Sequence, residues 1–398
     1  MSFFETLDLL SDDPIFSIPS LCAADSRLNK VDLSLGVYYD EKGRLTVLQC
    51  IRQAEEILLK QQLDKKYQPM DGNPEFIKQT LKLIFGENAS LNEIYGAQTL
   101  GGTGALRVAG EFLRKSVGSE IFLPEPTWAN HKLIFSHTDL NLNSFNYFND
   151  ETKSLEFEKI CSAIQKMPSR SLIVLQTCCH NPTGVDPTPT QWKEFSRLIL
   201  KHQIFPIFDF AYQGFGQDLE KDAAPIRLFH SEGHNMAVAY SFSKNLGLYG
   251  ERVGLLALSE PDKNIRNCIS SHIKRLIRSN YSTPPLHGSR LAATVLTSPN
   301  LRKVWIDELD AMRTRISSMR KALMDGLYDT CTGTGTNYSF LGKQKGLFSF
   351  CGLSPAQVTY LQKEFAIYMP SNGRINIANL NPSNIDYVTK ALRAAFQA

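Results

Sequence analysis

The sequence lacks the features that mark secreted, membrane-spanning and polyanion-binding proteins. Residues 1–13 are acidic and the first basic residue is Arg27, so the charged n-region of a signal peptide is missing. No uninterrupted apolar run approaches the length of a membrane span. Lys and Arg number 43 against 40 Asp and Glu, and this near balance predicts no nucleic-acid or other polyanionic partner. We therefore expect neither secretion nor membrane insertion.

The eight cysteines form no CxxC pair and show no repeated spacing. This scatter argues against a zinc site and against a disulfide framework, so we expect no metal and a reducing cytoplasmic environment. The cysteines stand at positions 22, 50, 161, 178, 179, 268, 331 and 351.

A chain of 398 residues predicts one large domain plus a smaller companion. Between residues 95 and 260 short apolar runs alternate with helix-like segments, and these runs are typical of buried strands. Helical spacing of apolar residues, as in 190–202, predicts a crossover helix after each strand and hence an α/β fold with a doubly wound, largely parallel sheet. The predicted strands are 120–123, 171–176, 204–210, 236–241 and 253–258.

The domain boundaries must come from pattern, because no linker, repeat or low-complexity tract stands out. A long helical pattern from Leu309 to Tyr328 leaves the sheet region, and a strand at 374–378 and a helix near 382–397 follow. We predict a large domain over 46–308 and a small C-terminal domain over 309–398. The N-terminal segment, 1–45, is expected to join the small domain.

Polar residues interrupt the apolar runs where the predicted strands end, which is where ligand sites gather in open α/β sheets. Lys244 and Arg252 are close in sequence, and a desolvated lysine near other cations becomes a nucleophile toward an aldehyde cofactor. A surface lysine in a loop is the alternative for Lys244. The residues at the strand ends are Asn181, Asp209, Tyr212, Ser241 and Lys244.

Asp209 lies in nearly apolar surroundings, where an unpaired charge would be costly. A protonated pyridine nitrogen is a suitable partner, although a structural salt bridge or a helix cap is equally compatible with this residue alone.

The glycine-rich segment 101–104 precedes an amphipathic run and could present backbone N–H groups to a phosphate. It has neither the P-loop pattern with its Walker lysine nor a GxGxxG fingerprint, and a plain turn or a helix cap is the alternative.

Taken together, these residues resemble the aspartate/aromatic aminotransferase family of fold-type I enzymes, which depend on pyridoxal 5′-phosphate (PLP). The likeness runs through nearly the whole chain. It implies a large domain with a mostly parallel, seven-stranded sheet flanked by helices, plus a smaller α/β domain. The matching stretches are LSLGVY at 33–38, GGTGALR at 101–107, PEPTWANH at 124–131, HNPTGVDP at 180–187, FDFAYQGF at 208–215, SFSKN at 241–245, YGERVG at 249–254 and GRIN at 373–376.

The resemblance assigns roles around the cofactor ring. It implies that Lys244 forms the Schiff base with PLP and then shuttles the proton at the substrate Cα as both base and acid. Asp209 is expected to pair with the pyridine nitrogen. Tyr212 and Asn181 are expected to hydrogen-bond the ring oxygen, and Trp128 to stack on the ring.

The resemblance also implies a phosphate site made by Gly102, Thr103, Ser241 and Arg252, in which the arginine supplies a fork suited to phosphate oxygens. Tyr67 matches a tyrosine that reaches the phosphate from the neighbouring subunit in this family. The expected assembly is therefore a homodimer whose active sites are shared across the interface.

Two arginines match the family's substrate clamps. Arg374 is expected to bind the α-carboxylate, and Arg278 of the second subunit the distal carboxylate. Gly36, Trp128 and Asn181 are also expected to contact the substrate. The partners implied are thus an amino acid and a 2-oxo acid.

The activity implied is transfer of the amino group of aspartate, tyrosine or phenylalanine to 2-oxoglutarate by a ping-pong mechanism through the Lys244 Schiff base. Tyr39, Leu45 and Thr283 resemble the aromatic-accepting branch, whereas Thr103 resembles the aspartate branch. Asn379 replaces a glycine that is common in the family. We therefore predict use of both dicarboxylic and aromatic substrates.

Two alternatives stay open at this point. Another fold-type I PLP enzyme, a lyase or a decarboxylase, would use Lys244 and Asp209 equally well, although the pair Arg374 and Arg278 favours transamination of a dicarboxylate. A non-catalytic binding protein that keeps the fold is the other alternative, because fold alone never fixes function.

Overall fold

The computed structural model describes residues 2–10, 13, 15–328 and 338–397, and Cys331 lies outside this part. The helices are α1 Ile18–Ala24, α2 Gln49–Gln61, α3 Pro74–Phe85, α4 Gly101–Ser116, α5 Asn130–Ser136, α6 Phe157–Lys166, α7 Pro189–Lys201, α8 Leu219–Ser231, α9 Lys263–Asn280, α10 His287–Thr297, α11 Pro299–Tyr328, α12 Pro355–Phe365 and α13 Ile385–Gln397. The strands are β1 Val31–Asp32, β2 Ile94–Leu100, β3 Glu120–Glu125, β4 Asn141–Asn146, β5 Phe148–Asn149, β6 Ser154–Leu155, β7 Leu172–Gln176, β8 Phe205–Phe210, β9 Met236–Ser241, β10 Val253–Ser259, β11 Phe348–Phe350, β12 Ile367–Tyr368 and β13 Arg374–Asn376.

A seven-stranded sheet in the order β2-β10-β9-β8-β7-β3-β4 forms the centre of the molecule. Strands β3, β4, β7, β8 and β9 are parallel, whereas β10 is antiparallel to both of its neighbours. The predicted α/β class with a mostly parallel sheet is therefore confirmed. The expectation of a crossover helix after every strand is wrong between β9 and β10, where residues 242–252 form turns. An antiparallel neighbour needs no crossover.

Each face of the sheet has its own apolar core, because successive side chains of a strand point to opposite faces. Phe208 of β8 and Val238 of β9 face a core shared with α3, α7 and α8. Ile207 and Ala237, their neighbours along the chain, face a second core shared with α4, α5 and α9. Because both faces of the sheet are covered, the sequences of these strands are continuous apolar runs.

Local sequence signals fix the helix starts that follow the strands. Thr188 and Gln191 form a capping box at α7, with Gln191 N donating to Thr188 Oγ1 at 3.3 Å and Thr188 N donating to Gln191 Oε1 at 2.8 Å. Asp218 caps α8 by accepting from the backbone N–H groups of Glu220 and Lys221. Helix α4 differs, because its N-cap residue Leu100 makes no side-chain cap.

Segments from both ends of the chain pair beside the main sheet. Strand β1 pairs in parallel with β12, and β11 pairs antiparallel with β13. Helix α11 begins at Pro299, ten residues before the helical pattern predicted from Leu309, and it continues unbroken across position 308. Its buried stripe begins Leu301, Trp305, Leu309, Met312, Ile316.

Two smaller predictions near the C-terminus differ from the structure in extent. The strand expected over 374–378 ends at Asn376 and continues as a 3₁₀ turn, Ile377–Asn379, and the last helix begins at Ile385.

Among the described residues, no helix has the length and apolar character that a bilayer crossing requires. Within the same residues, no group of three or more His, Cys, Asp or Glu side chains is arranged to hold a metal ion.

Candidate active site

The carboxyl ends of the parallel strands and the start of β10 meet at one edge of the sheet, where a cavity of about 660 Å³ opens. This volume lies within the range of small-molecule sites. All but two of the residues predicted for the site line the cavity: Gly36, Gly102, Thr103, Trp128, Asn181, Asp209, Tyr212, Ser241, Lys244, Arg252 and Arg374.

Lys244 follows β9 by three residues and points into this cavity, with its Nζ 5.2 Å from the centre of the Tyr212 ring. Burial lowers the pKa of Lys244 from 10.5 to about 8. Asp209 opposes this shift, and the guanidinium groups of Arg252 and Arg374 add to it. A neutral amine is therefore available close to neutral pH, as a nucleophile requires.

The lowered pKa of Lys244 predicts how the cofactor-free protein reacts with PLP. Because only the neutral amine attacks an aldehyde, the rate should rise with pH and level off above about pH 8. Stopped-flow absorbance after mixing apoprotein with PLP measures this rate. A rate that keeps rising to pH 10, as for an exposed lysine, would contradict the account of Lys244.

Asp209 lies near the end of β8 and is 8% exposed. Its Oδ2 lies 3.0 Å from Nε2 of His131, and the His131 Nδ1 lies 2.8 Å from Oγ1 of Thr127. A carboxylate only accepts, so an imidazole that donates from Nε2 to Asp209 accepts from the Thr127 hydroxyl at Nδ1. Sequence reasoning assigned no role to His131 or Thr127, although both stand in the matching stretch 124–131.

An anion cradle lies where β2 leads into α4. The first N–H groups of α4 have no side-chain cap, and Gly101 adopts φ +66, a left-handed conformation that favours glycine. Val253 pairs with Leu100, which brings Arg252 beside Gly101, and Gly101 N donates to the Arg252 carbonyl at 3.0 Å. Arg252 itself donates to Tyr249 O at 2.9 Å and to Ser243 Oγ at 3.5 Å, both of them uncharged acceptors. The uncapped N–H groups of α4 and a guanidinium that donates to uncharged oxygens are together suited to binding a phosphate.

Arg374 is only 4% exposed, yet its hydrogen bonds go to neutral groups. It donates from Nη1 to Asn181 Oδ1 at 3.1 Å and from Nη2 to the Ser34 carbonyl, and its guanidinium lies 4.2 Å from the centre of the Phe348 ring. Burial lowers the pKa of Arg374 to about 10, and its Nε has no partner among the described residues. Such a guanidinium is suited to a carboxylate from a ligand.

Gly36 and Asn181 are fixed by close contacts around Arg374. A Cβ at Gly36 would lie 2.7 Å from Cζ of Phe348, so a side chain there would displace the ring that stacks on the guanidinium. Asn181 is held at its backbone by Gln176, which accepts from Asn181 N at 2.8 Å and donates to Asn181 O at 3.0 Å. No role was assigned to Gln176 from the sequence. Its position at the end of the predicted strand 171–176 was the only feature of the sequence that could have indicated one.

The two remaining predicted residues do not line the cavity of their own chain. Tyr67 is 91% exposed, and Arg278, near the end of α9, donates to the Ser282 hydroxyl. Both had been assigned to the active site of a second subunit, so their place away from this cavity is compatible with that assignment.

The residues present fit PLP. A half-buried lysine, a buried carboxylate and an arginine lie around one cavity, and the arginine stands at an uncapped helix start and donates, within the described part of the chain, to uncharged oxygens. This site, at the carboxyl edge of a mostly parallel seven-stranded sheet, defines a fold-type I PLP-dependent transferase. The model for the family "Aminotransferase class I and II" matches residues 29–392. The chain belongs to this family.

Similar proteins include aspartate aminotransferase of Escherichia coli strain K12, which is 39% identical over 395 residues, 98% of this chain and 99% of the relative. The aromatic-amino-acid aminotransferase of Burkholderia pseudomallei was solved covalently bound to pyridoxal phosphate. Its structure matches this one with a TM-score of 0.96 at 38% identity, and the match covers 99% of this chain and 100% of the Burkholderia chain. The psychrophilic aromatic amino acid aminotransferase of Psychrobacter sp. B6, cocrystallised with aspartic acid, has a TM-score of 0.97 at 38% identity over 100% of both chains.

Proposed function

We propose that this aminotransferase binds PLP at Lys244 and moves the amino group of aspartate and of aromatic amino acids to 2-oxoglutarate. The observation that carries the proposal is the buried Arg374. It has no acidic hydrogen-bond partner among the described residues, and it lines the same cavity as Lys244 and Asp209. Relatives named for aspartate and for aromatic amino acids support both donor classes.

When bound, PLP supplies an aldehyde carbon that takes up the amino group and a ring that accepts negative charge from the substrate Cα. Lys244 holds and moves the proton at Cα. A pKa of about 8 supports this dual role, because such an amine both accepts and returns a proton near neutral pH.

The residues around Lys244 orient the ring and set its charge. The Asp209 carboxylate would keep the ring nitrogen protonated, and the hydrogen bond from His131 holds that carboxylate in place. Tyr212 and Asn181, which line the same cavity, would donate to the ring oxygen, and Trp128 would pack against the ring. Gly102 and Thr103 at the start of α4, together with Ser241 and Arg252, would hold the phosphate.

Arg374 holds the α-carboxylate of the substrate by a charge-assisted fork. The cavity is also lined by apolar side chains, among them Phe16, Leu35 and Leu133, which suit an aromatic substrate. Phe16 is 74% exposed and Leu133 56% exposed, so their apolar surface is available to such a ring. Arg278 of a second subunit supplies the clamp for a distal carboxylate.

The assembly we propose is a homodimer in which Tyr67 and Arg278 complete the partner's site. Both lie outside the cavity of their own chain, which supports this arrangement.

We also propose a division of the chain into a large domain over 46–308, a small domain over 309–398 and an N-terminal segment, 1–45, that joins the small domain. The pairing of β1 with β12 supports this division. Seven free cysteines among the described residues support a cytoplasmic location.

A panel of amino donors against 2-oxoglutarate tests the activity. We expect aspartate, tyrosine and phenylalanine all to yield glutamate together with their 2-oxo acids. Steady release of ammonia or carbon dioxide instead would favour a lyase or a decarboxylase over our proposal.

Replacing Arg278 by alanine should separate the two donor classes. We expect kcat/KM for aspartate to fall by about 10²-fold or more, because a charge-assisted clamp on the distal carboxylate is lost. The value for phenylalanine should change by less than about threefold. Equal losses for both donors would contradict the assigned role of Arg278.

A mixed dimer tests whether Arg278 acts across the interface. Lys244→Ala chains and Arg278→Ala chains, coexpressed with different tags and purified as the mixed dimer, contain one intact site only if Arg278 serves its partner. We then expect roughly half of the wild-type activity toward aspartate. Activity no higher than that of the Arg278→Ala homodimer would show that the arginine acts within its own chain or not at all.

A further inference from the structure

A hydrogen-bonded cluster of side chains lies directly behind the active site without lining its cavity. We call it the Tyr240 cluster. Each member is fully buried, and none of them has a role in the proposed chemistry. Its members are Gln213, Tyr240, Asn245 and Trp305.

The Tyr240 hydroxyl joins two loops of the site. It donates to Gln213 Oε1 at 2.6 Å and accepts from Asn245 Nδ2 at 2.9 Å. Gln213 directly follows Tyr212 in the chain, and Asn245 directly follows Lys244. This hydroxyl therefore connects the loop that carries Tyr212 to the turn that carries Lys244, beside a longer direct bond of 3.4 Å from Asn245 Nδ2 to Gln213 O.

The hydroxyl itself has a fixed position. The Tyr240 ring packs edge-on against Phe210, with centroids 5.3 Å apart, and against Phe242 at 4.9 Å. Tyr240 stands in β9 one residue after Ala239, which pairs with Asp209, so its side chain points to the opposite face of the sheet. Buried aromatic packing of this kind leaves the ring few alternative positions.

The partners of the hydroxyl are also anchored on their far sides. Gln213 Nε2 donates to Leu219 O at 2.8 Å, which ties it to the first residue of α8. Trp305 of α11 donates from Nε1 to Asn245 O at 2.6 Å. A shift of either loop would therefore break a hydrogen bond in a buried region, where unpaired polar groups are costly.

A tyrosine hydroxyl needs only one carbonyl partner, as the half-buried Tyr387 shows by donating to Phe365 O at 2.7 Å. Tyr240 instead bonds two side chains, and each belongs to a neighbour of a proposed cofactor residue. Resting on the proposed roles of Lys244 and Tyr212, we propose that Tyr240 is a positioning residue. It sets the separation of the Lys244 amine and the Tyr212 phenol through Asn245 and Gln213.

The test is Tyr240→Phe, which removes the hydroxyl and keeps the ring that packs in the core. In the holoenzyme we expect kcat for aspartate to fall about three- to tenfold with KM nearly unchanged, since Arg374 lies outside the cluster. The pH midpoint of the visible absorbance of the lysine-bound cofactor should move upward. When the Tyr212 hydroxyl is poorly aligned, the ring oxygen keeps more negative charge. That charge favours the protonated form of the nitrogen that joins Lys244 to the cofactor and so raises its pKa.

Tyr387→Phe is the matched control, because it also removes one tyrosine hydroxyl bond, and neither Tyr387 nor its partner Phe365 lines the cavity. It should lower the melting temperature and leave kcat and the absorbance midpoint at wild-type values. If Tyr240→Phe changes only the melting temperature, its role is structural and the proposal is wrong.

Asn245→Leu provides a second approach should Tyr240→Phe not accumulate as folded protein. Leucine is close to asparagine in shape, and the Asn245 Oδ1 has no hydrogen-bond partner to lose among the described residues. We expect the same fall in kcat and the same upward midpoint, and an unchanged midpoint would overturn the proposal. Borohydride trapping of cofactor on Lys244 in wild-type enzyme distinguishes failure of this inference from failure of the proposed function.

Discussion

Replacing Lys244 by alanine is expected to remove both the visible colour and the activity of the holoenzyme. Among the described residues that line the cavity, Lys244 is the only lysine, and it is assigned both the covalent attachment and the proton transfer at Cα. We expect kcat to fall by at least about 10⁴-fold, because general acid–base catalysis and nucleophilic attachment are lost together. Coupled spectrophotometric assay of oxaloacetate formation measures the fall.

The matched control is Lys193→Ala, which removes an exposed lysine on α7 and should leave the colour and kcat unchanged. An absorbance spectrum and a circular-dichroism melt on each variant exclude unfolding as the cause. A folded Lys244→Ala protein that retained a tenth or more of the wild-type kcat would show that another group carries the reaction.

Replacing Asp209 by asparagine should give the second-largest loss. The amide has the shape of the carboxylate but no charge, so it can neither keep a ring nitrogen protonated nor attract the His131 N–H as strongly. We expect kcat to fall by about 10²- to 10³-fold, the size of the loss when one preorganised electrostatic group at a reacting centre is removed. KM for aspartate should change little because Arg374 is untouched.

Asp150→Asn is the control for this change, since Asp150 is exposed and its Oδ1 lies 3.6 Å from Nζ of Lys153. Presteady-state absorbance separates the chemical step from product release in both variants. A kcat within about twofold of wild type for Asp209→Asn would contradict the role given to that carboxylate.

Much of the central sheet could be predicted from the sequence, because strands covered on both faces leave continuous apolar runs. The runs at 204–210 and 236–241 correspond to β8 and β9, and the polar residues after them lie at one edge of the sheet. The pattern of polar residues at strand ends was therefore sufficient to locate Asp209 and Lys244.

The sheet margins could not be predicted in this way. Strand β4, Asn141–Asn146, lies at the edge of the sheet and exposes most of its side chains, so its sequence has no apolar run. Strand β2, Ile94–Leu100, contains Gly96 and Gln98, which mask its strand character. The start of α11 was misplaced because α10 ends only two residues before it.

The contacts that support the site depend on register and packing. His131 meets Asp209 across 78 positions of sequence, and Trp305 meets Asn245 across 60. Tyr240 stands inside an apolar run, where a tyrosine is typical of core packing alone. Only the three-dimensional arrangement of the chain shows that its hydroxyl lies between two loops of the active site.

The central claim is that the amine of Lys244 carries the cofactor. Borohydride reduction of the wild-type holoenzyme, followed by proteolysis and mass spectrometry, tests it directly. We expect a single peptide with the mass of reduced phosphopyridoxyl-lysine, and fragmentation should place the label on Lys244. A label on any other lysine, or no label on a protein that is yellow before reduction, would contradict the account.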